Sequence, residues 1–453
     1  TVDQTGLNKL KQEFRNVISE AKSLGQTGDN AFTKLNKNVS QFISFLGSAT
    51  VVMTGINAIR NLVTEVNNLD KAHVDLQMAT GYTNEETKEL LKTYIDLGQE
   101  MGATGTDVAK SASTWLRQGK SIAETNELIR DSMVLSKNGQ LDSAQATQYL
   151  TSAMKGYKVE VSDVIGIVDK LSAIDMASAT DVGGLAEGMS RVANMANLAG
   201  VSMDKLLSYL ATVGEVTQKD MSSIGESFQT MFSRMGNIKV GKFIDDESGE
   251  ALNDVEKVLK SLKVNLRDGN DSFRNFGDVL DDIGSKWNTY TETEKNALGV
   301  AIAGTRQREN FNVLMENYAT SLNYAGVAAD SAGVAMQKFA SYEDSVEAKT
   351  QRIIASFQEL STDTLNSSWV KGFLDLANVL LQVTDNVGLL NIAFVVLAGV
   401  MGSKTNIGLN VFSQLLMNLT AKIGITGATA TALSTALSTM IPVALIVGGV
   451  TAI

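Results

Sequence analysis

Few residues in this sequence are of types that do chemistry. Gly225-Glu226-Ser227-Phe228 sets a carboxylic acid beside a hydroxyl, and such an acid can protonate a glycosidic oxygen. Met221, Ile224, Phe228 and Phe232 surround the pair at helical spacing, which predicts a Glu on the surface of an amphipathic helix. Asp245-Asp246-Glu247-Ser248-Gly249 and Asp268-Gly269-Asn270-Asp271 gather oxygens, but neither follows the ligand order of a calcium loop. Turn chemistry accounts for both. Arg306 and Arg308 are candidates for binding a phosphate at a helix terminus or a protein partner. Surface pairing with Glu309 or Glu316 is the simpler expectation. His73 is the only histidine and cysteine is absent. One copy of the chain therefore holds no Ser-His-Asp triad, multi-His metal site, thiol nucleophile or Cys-ligated zinc. His73 is expected on a helix face without a titration role. The expectation is a non-enzyme with no cofactor and no metal.

The elements that would carry these residues read as helices. Of 453 residues, 44% are hydrophobic, enough for a large core or for two or three units. A single proline, Pro442, and 6% aromatic residues favour an all-α architecture. The net charge is −11, with Lys and Arg mixed among Asp and Glu, which argues against specific nucleic-acid binding. The chain starts at Thr1 without Met and ends in mid-pattern at Thr451-Ala452-Ile453, so it reads as a fragment of a longer polypeptide.

Residues 1–68 predict a coiled coil and apolar helices. Leu7, Leu10, Phe14, Val17, Ala21 and Leu24 alternate spacings of three and four, as a seam requires. Gly25 to Asp29 interrupt it. A second seam runs through Phe32, Leu35, Val39, Phe42, Leu46, Ala49, Met53 and Ile56. These faces either pack on the rest of the chain or pair with copies of itself.

Residues 69–363 predict a helical array. Thr83-Asn84-Glu85-Glu86 and Ser121-Ile122-Ala123-Glu124 are capping boxes. Leu90, Tyr94, Leu97 and Met101 follow the first on one face; Leu128, Ile129 and Leu135 follow the second. Gly139, Gly156 and Gly200 stand where a left-handed cap would end a helix. Val161-Ser162-Asp163-Val164, Val201-Ser202-Met203-Asp204 and Thr104-Gly105-Thr106-Asp107 each open a helix, a weak internal repetition. The helical pattern breaks from about 238 to 273. There Lys239 to Ile244 alternates, Ser248-Gly249 suits a turn and Asp268-Gly269 suits a hairpin, so a small β-ribbon is expected. Helices resume over Phe276 to Trp287, Glu292 to Tyr318 and Tyr342 to Leu360.

Residues 364–453 change character. From Asn386 to Ile453 only Lys404 and Lys422 are charged. Leu389, Leu390, Ile392, Phe394, Val395, Val396 and Leu397 form one apolar block; Ile441, Pro442, Val443, Leu445, Ile446 and Val447 form another. About 20 apolar residues span a bilayer, and the uncharged stretch from Ile423 to Ile453 is long enough. Ser, Thr, Gly and Asn dilute these segments, so none scores as a simple anchor. The two readings are membrane-inserting helices and helices buried in a core.

The order of phrases along the chain resembles the core region of tail tape measure proteins of long-tailed phages and prophages. The resemblance rests on Leu69-Asp70-Lys71-Ala72, Thr80-Gly81, Leu97-Gly98-Gln99-Glu100-Met101-Gly102, Ala109-Lys110-Ser111-Ala112 and Gly183-Gly184-Leu185-Ala186-Glu187-Gly188. It continues through Ala199-Gly200-Val201-Ser202, Ala303-Gly304-Thr305-Arg306-Gln307 and Ala348-Lys349-Thr350-Gln351-Arg352-Ile353. It covers about Leu69 to Asp363, and the flanks in character only. Glu226-Ser227 also resembles the Glu-Ser of lytic transglycosylases. Some tape measure proteins carry wall-cleaving domains, but that family's partner motifs are missing here.

The tape measure resemblance implies a structural virion protein in the tail tube lumen. Such a protein scaffolds tail assembly, sets tail length and then leaves the tube to help breach the host membrane for genome ejection. The partners implied are copies of itself, tail tube, tail completion and baseplate or tip proteins, tail assembly chaperones and host membrane lipids. A helix rises 1.5 Å per residue, so the chain fully extended as helix would reach roughly 680 Å. The alternative is a pore-forming bacteriocin or toxin, whose apolar helices would act without a tail.

Overall fold

Thr83, Ser121 and Thr291 each stand in extended backbone just before a helix, and their hydroxyls accept the amides of Glu86, Glu124 and Glu294. Each Glu carboxylate in turn accepts the amide of its cap residue. Two donors that a helix start leaves without partners are thereby satisfied at each site. The backbone and hydroxyl of Ser121 hold the Glu124 carboxyl down to about 2. The first two boxes are those expected; the third starts the helix that carries Gly304.

The computed structural model describes residues 65, 68–239, 252–268 and 272–363. The helices are α1 (68–80), α2 (Asn84–Met101), α3 (Gly105–Arg117), α4 (Ile122–Asn138), α5 (Ser143–Tyr157), α6 (Ile165–Ala177), α7 (Val182–Leu198) and α8 (Met203–Thr217). They continue as α9 (Met221–Lys239), α10 (Leu252–Ser261), α11 (Phe276–Lys286), α12 (Glu292–Glu316), α13 (Tyr318–Ala329), α14 (Val334–Glu343) and α15 (Val346–Asp363). The all-α expectation holds for the described residues. The oligomerisation seam from Leu7 to Leu46 and the apolar blocks from Leu389 to Val447 lie outside them. Among the described residues no helix is long and apolar enough to cross a membrane.

The chain divides into two units, one of 1–110 with 343–453 and one of 111–342. In the first, α2 packs on α15. Leu90, Tyr94, Leu97 and Met101 are buried as their spacing predicts. In the second, α7 is flanked by α5, α8 and α9, and α13 lies against α6 and α8. An aromatic row crosses this core. Tyr209 meets Phe228 at 6.0 Å, Phe228 stacks on Phe232 at 6.0 Å, and Phe232 meets the edge of Phe276 at 5.9 Å.

Three expectations need correction, and the ribbon expected over 238–273 is not shown: among the described residues Leu252–Ser261 is helical, and one antiparallel bridge, Arg267 to Phe273, is present. The Asp268 and Arg274 amides donate to Ser272 and Leu266 carbonyls, which closes the chain here without extending it into strands. The Arg267 side chain pairs with Glu256 on α10 at 2.8 Å. The stretch 240–251 lies outside the described residues. Gly200 takes φ +77° as a left-handed cap should, but Gly139 and Gly156 do not. Gln140, directly after Gly139, and Lys158, two residues after Gly156, supply the positive φ. Gly156 sits inside α5, and a β-carbon there would meet Ala193 Cβ at 2.7 Å. Finally, α12 is not one continuous rod but breaks at Gly304.

Candidate functional site

Glu226 and Ser227 are neighbours in sequence but lie on different faces of α9. Consecutive helical residues are about 100° apart, and here that angle separates an exposed carboxylate from a fully buried hydroxyl. Ile224, Phe228 and Phe232 bury the inner face as their spacing predicts. Ser227 Oγ has no hydrogen-bond partner. The two groups cannot act on one bond, and Glu226 is a surface residue.

What α9 does instead is approach α7 closely. A β-carbon on Gly188 would meet the Met221 carbonyl oxygen at 2.9 Å, and one on Gly225 would run into the Gly188 carbonyl. Gly183 faces the Gly139 carbonyl in the same way, at 2.6 Å. The Gly183-to-Gly188 phrase is thus a backbone contact surface for α4, α9 and their connections. Omitting the β-carbon lets helix axes approach and van der Waals contact extend along the backbone.

The stretch from Ala303 to Arg308 forms a second packing device. Gly304 has φ 66° and ψ 176°, a region essentially reserved for glycine. The buried Arg234 lies beside it, its Nη1 3.3 Å from where a β-carbon would sit. The break folds the second half of α12 back on the first, so Arg308 Nη1 donates to Asn296 Oδ1 at 2.6 Å. Arg308 therefore does not make the acidic pairing expected of it, and Glu309 pairs with Lys219 at 2.8 Å. Arg306 is exposed.

In the first unit the phrases around 99 and 352 meet. The Arg352 guanidinium donates to the Gln99 carbonyl at 3.1 Å and to the Glu343 carbonyl at 3.1 Å. The last carbonyls of α2 lack helical partners, and a cation there is favourable. Gln99 Nε2 donates to Glu359 at 2.7 Å. Gln358, fully buried, accepts the Gly105 amide at 2.7 Å and donates to Thr106 Oγ1 at 2.9 Å. Its side-chain oxygen thereby satisfies an amide at the start of α3. Burial, and then the nearby Asp107 charge, raises the Glu65 carboxyl above its ordinary range.

The remaining candidates resolve simply. His73 is buried on α1 and its Nε2 has no partner. Asp268 accepts the Ser272 amide at 3.0 Å, the turn role expected; Asp245 to Gly249 lie outside the described residues. Among the described residues no group of acidic or histidine side chains is placed to hold a metal ion.

The sequence reading missed Asp169. It lies in the apolar run Ile167 to Ile174 of α6, is buried, and accepts the Ala335 amide at 2.8 Å and the Gly333 amide at 3.0 Å. The available signal was an acid within the largely apolar stretch Ile165 to Ile174.

These devices build a packed helical body, and residues 91–304, which carry the Gly188–Gly225 contact and the Gly304 break, can be compared with known families. They match the family of phage-related minor tail proteins. The match supports a phage tail protein with a structural role and a place in the virion. A structural tail family accords with a non-enzymatic chain. It covers somewhat less than half of the chain and excludes α1, α13 to α15 and both flanks. No solved structure matches the chain.

Proposed function

We propose that this chain is part of the tape measure of a long-tailed phage. In this reading it scaffolds tube assembly and sets tail length, then leaves the tail and inserts into the host membrane to help genome ejection. The observation that carries the reading is the minor tail match over 91–304. The helical content supports it further, since a helix converts residue number linearly into length at about 1.5 Å per residue. Its partners would be copies of itself through the Leu7-to-Leu46 seam, the tube, completion and tip proteins, the assembly chaperones and, after release, membrane lipids.

The test is a series of in-frame deletions in helical regions of the full protein, with tails measured by electron microscopy. Tail length should fall in proportion to the residues removed. Tails of unchanged length across the series would refute length control while leaving a structural tail role intact.

A further inference from the structure

Helix α14 is held to the second unit in an unusual way for its size. It has ten residues, Val334–Glu343, and only Ala335 and Phe339 are buried hydrophobics. A helix this short is marginal alone in water, so its order depends on docking. One ring and one methyl group are little apolar burial to set against the conformational entropy of ten residues. Met336 remains half exposed.

Polar contacts supply the rest. Asp169 on α6 accepts the amides of Gly333 and Ala335, two donors at the helix start that have no helical acceptor. A carboxylate there also faces the positive end of the helix dipole. Asn138 at the end of α4 donates to the Ala335 carbonyl at 2.9 Å and to Ser172 Oγ at 3.2 Å. Lys338 pairs with Asp175, one turn and a half further along α6. Lys137 lies over the Tyr342 ring at 5.1 Å, and that ring packs on Phe339 at 5.6 Å. Gly333, at φ +81°, precedes the helix, and a β-carbon there would meet nothing within 4 Å, so the chain enters α14 through an open glycine joint. The neighbouring α6 is different: Ile167, Val168, Leu171 and Ile174 are all buried.

We propose that α14 is a polar-latched strap that undocks from α4 and α6 as a unit, with Asp169 as the latch, while the rest of 111–342 stays folded. Water can replace polar latches at little loss, whereas it cannot replace apolar packing. Segments with few buried apolar contacts open first and by themselves. Undocking would turn about 15 Å of helix into about 33 Å of extended chain between Gly333 and Asp344. The strap is then a built-in reserve of length at the point where the chain leaves this unit.

Native-state hydrogen exchange on the full chain, read by peptide mass spectrometry in denaturant below the unfolding transition, tests it. Amides of 334–343 should exchange at least tenfold faster than those of 122–138 and 165–177, with little dependence on denaturant. Asp169→Asn removes the charge and one acceptor at nearly constant volume, and should speed exchange of 334–343 a further tenfold while leaving 203–217 unchanged. Exchange of 334–343 at the rate of 165–177 in the unaltered chain would overturn the strap. An unchanged 334–343 rate in Asp169→Asn would overturn Asp169 as its latch.

Discussion

Gly225 on α9 lies so close to Gly188 on α7 that a β-carbon on Gly225 would run into the Gly188 carbonyl oxygen. The obstacle is backbone in a helix already flanked by α5 and α8, so it cannot swing aside. Gly225→Ala should lower stability by about 1–3 kcal/mol, the usual range for overpacking. Gly326→Ala, inside α13 with nothing within 4 Å of the added carbon, should be neutral or stabilising by up to about 1 kcal/mol. Urea unfolding of the two variants beside the unaltered chain checks both. Equal effects would mean that the α7–α9 approach relaxes freely.

Asp131 on α4 predicts a pH dependence. Burial, and then the charges of Glu127 and Asp169, push its carboxyl from the ordinary 3.8 up to about 7. Between those values the folded chain holds one more proton than the unfolded chain, so this group makes stability fall as pH rises from about 4 to about 7. Asp131→Asn removes the titration. Thermal unfolding should be nearly unchanged at pH 4 and shifted to higher temperature at pH 8, where the gain in unfolding free energy should be about 4 kcal/mol. A shift of the same size at both pH values would assign the effect to packing.

Glu226→Gln should leave any wall-degrading activity of the particle intact, because the neighbouring hydroxyl faces the core. Peptidoglycan release assayed with variant and unaltered particles decides this. Loss of cleavage by particles with normal tails would show Glu226 to be catalytic.

The apolar blocks of the last third should enter lipid once the protein is released. Leu397→Asp combined with Leu445→Asp would each place a charge near a helix centre, costing roughly 2.5–3.5 kcal/mol apiece. Dye release from liposomes should fall sharply in the double variant, and particles carrying it should adsorb but fail to deliver DNA. Equal leakage by both forms, or none by either, would favour burial of these blocks in a protein core.

Helix starts and buried faces in the described region could be read from residue order alone. Thr83 with Glu86, and Ser121 with Glu124, are local devices whose partners lie three residues apart, so spacing determines them. The same holds for the inner face of α9, where Ile224, Phe228 and Phe232 recur at helical intervals. Glu226 could be set aside on that ground before its exposure was known.

The tertiary structure decided everything that depends on a distant partner. Gly156 looks like a helix end in sequence but lies inside α5, and Gly139 ends α4 without a left-handed φ; at both, glycine is required by close backbone approach, which no local pattern records. Asp169 reads as an acid misplaced in an apolar run until the amides of Gly333 and Ala335, more than 160 residues later, are brought to it. Arg308 has acids close by in sequence but turns to Asn296, because Gly304 breaks the helix between them. Short-range hydrogen bonding and periodicity are properties of the chain. Close contacts and long-range capping are properties of the fold, where the desolvation of each polar group is settled by whichever partner packing delivers.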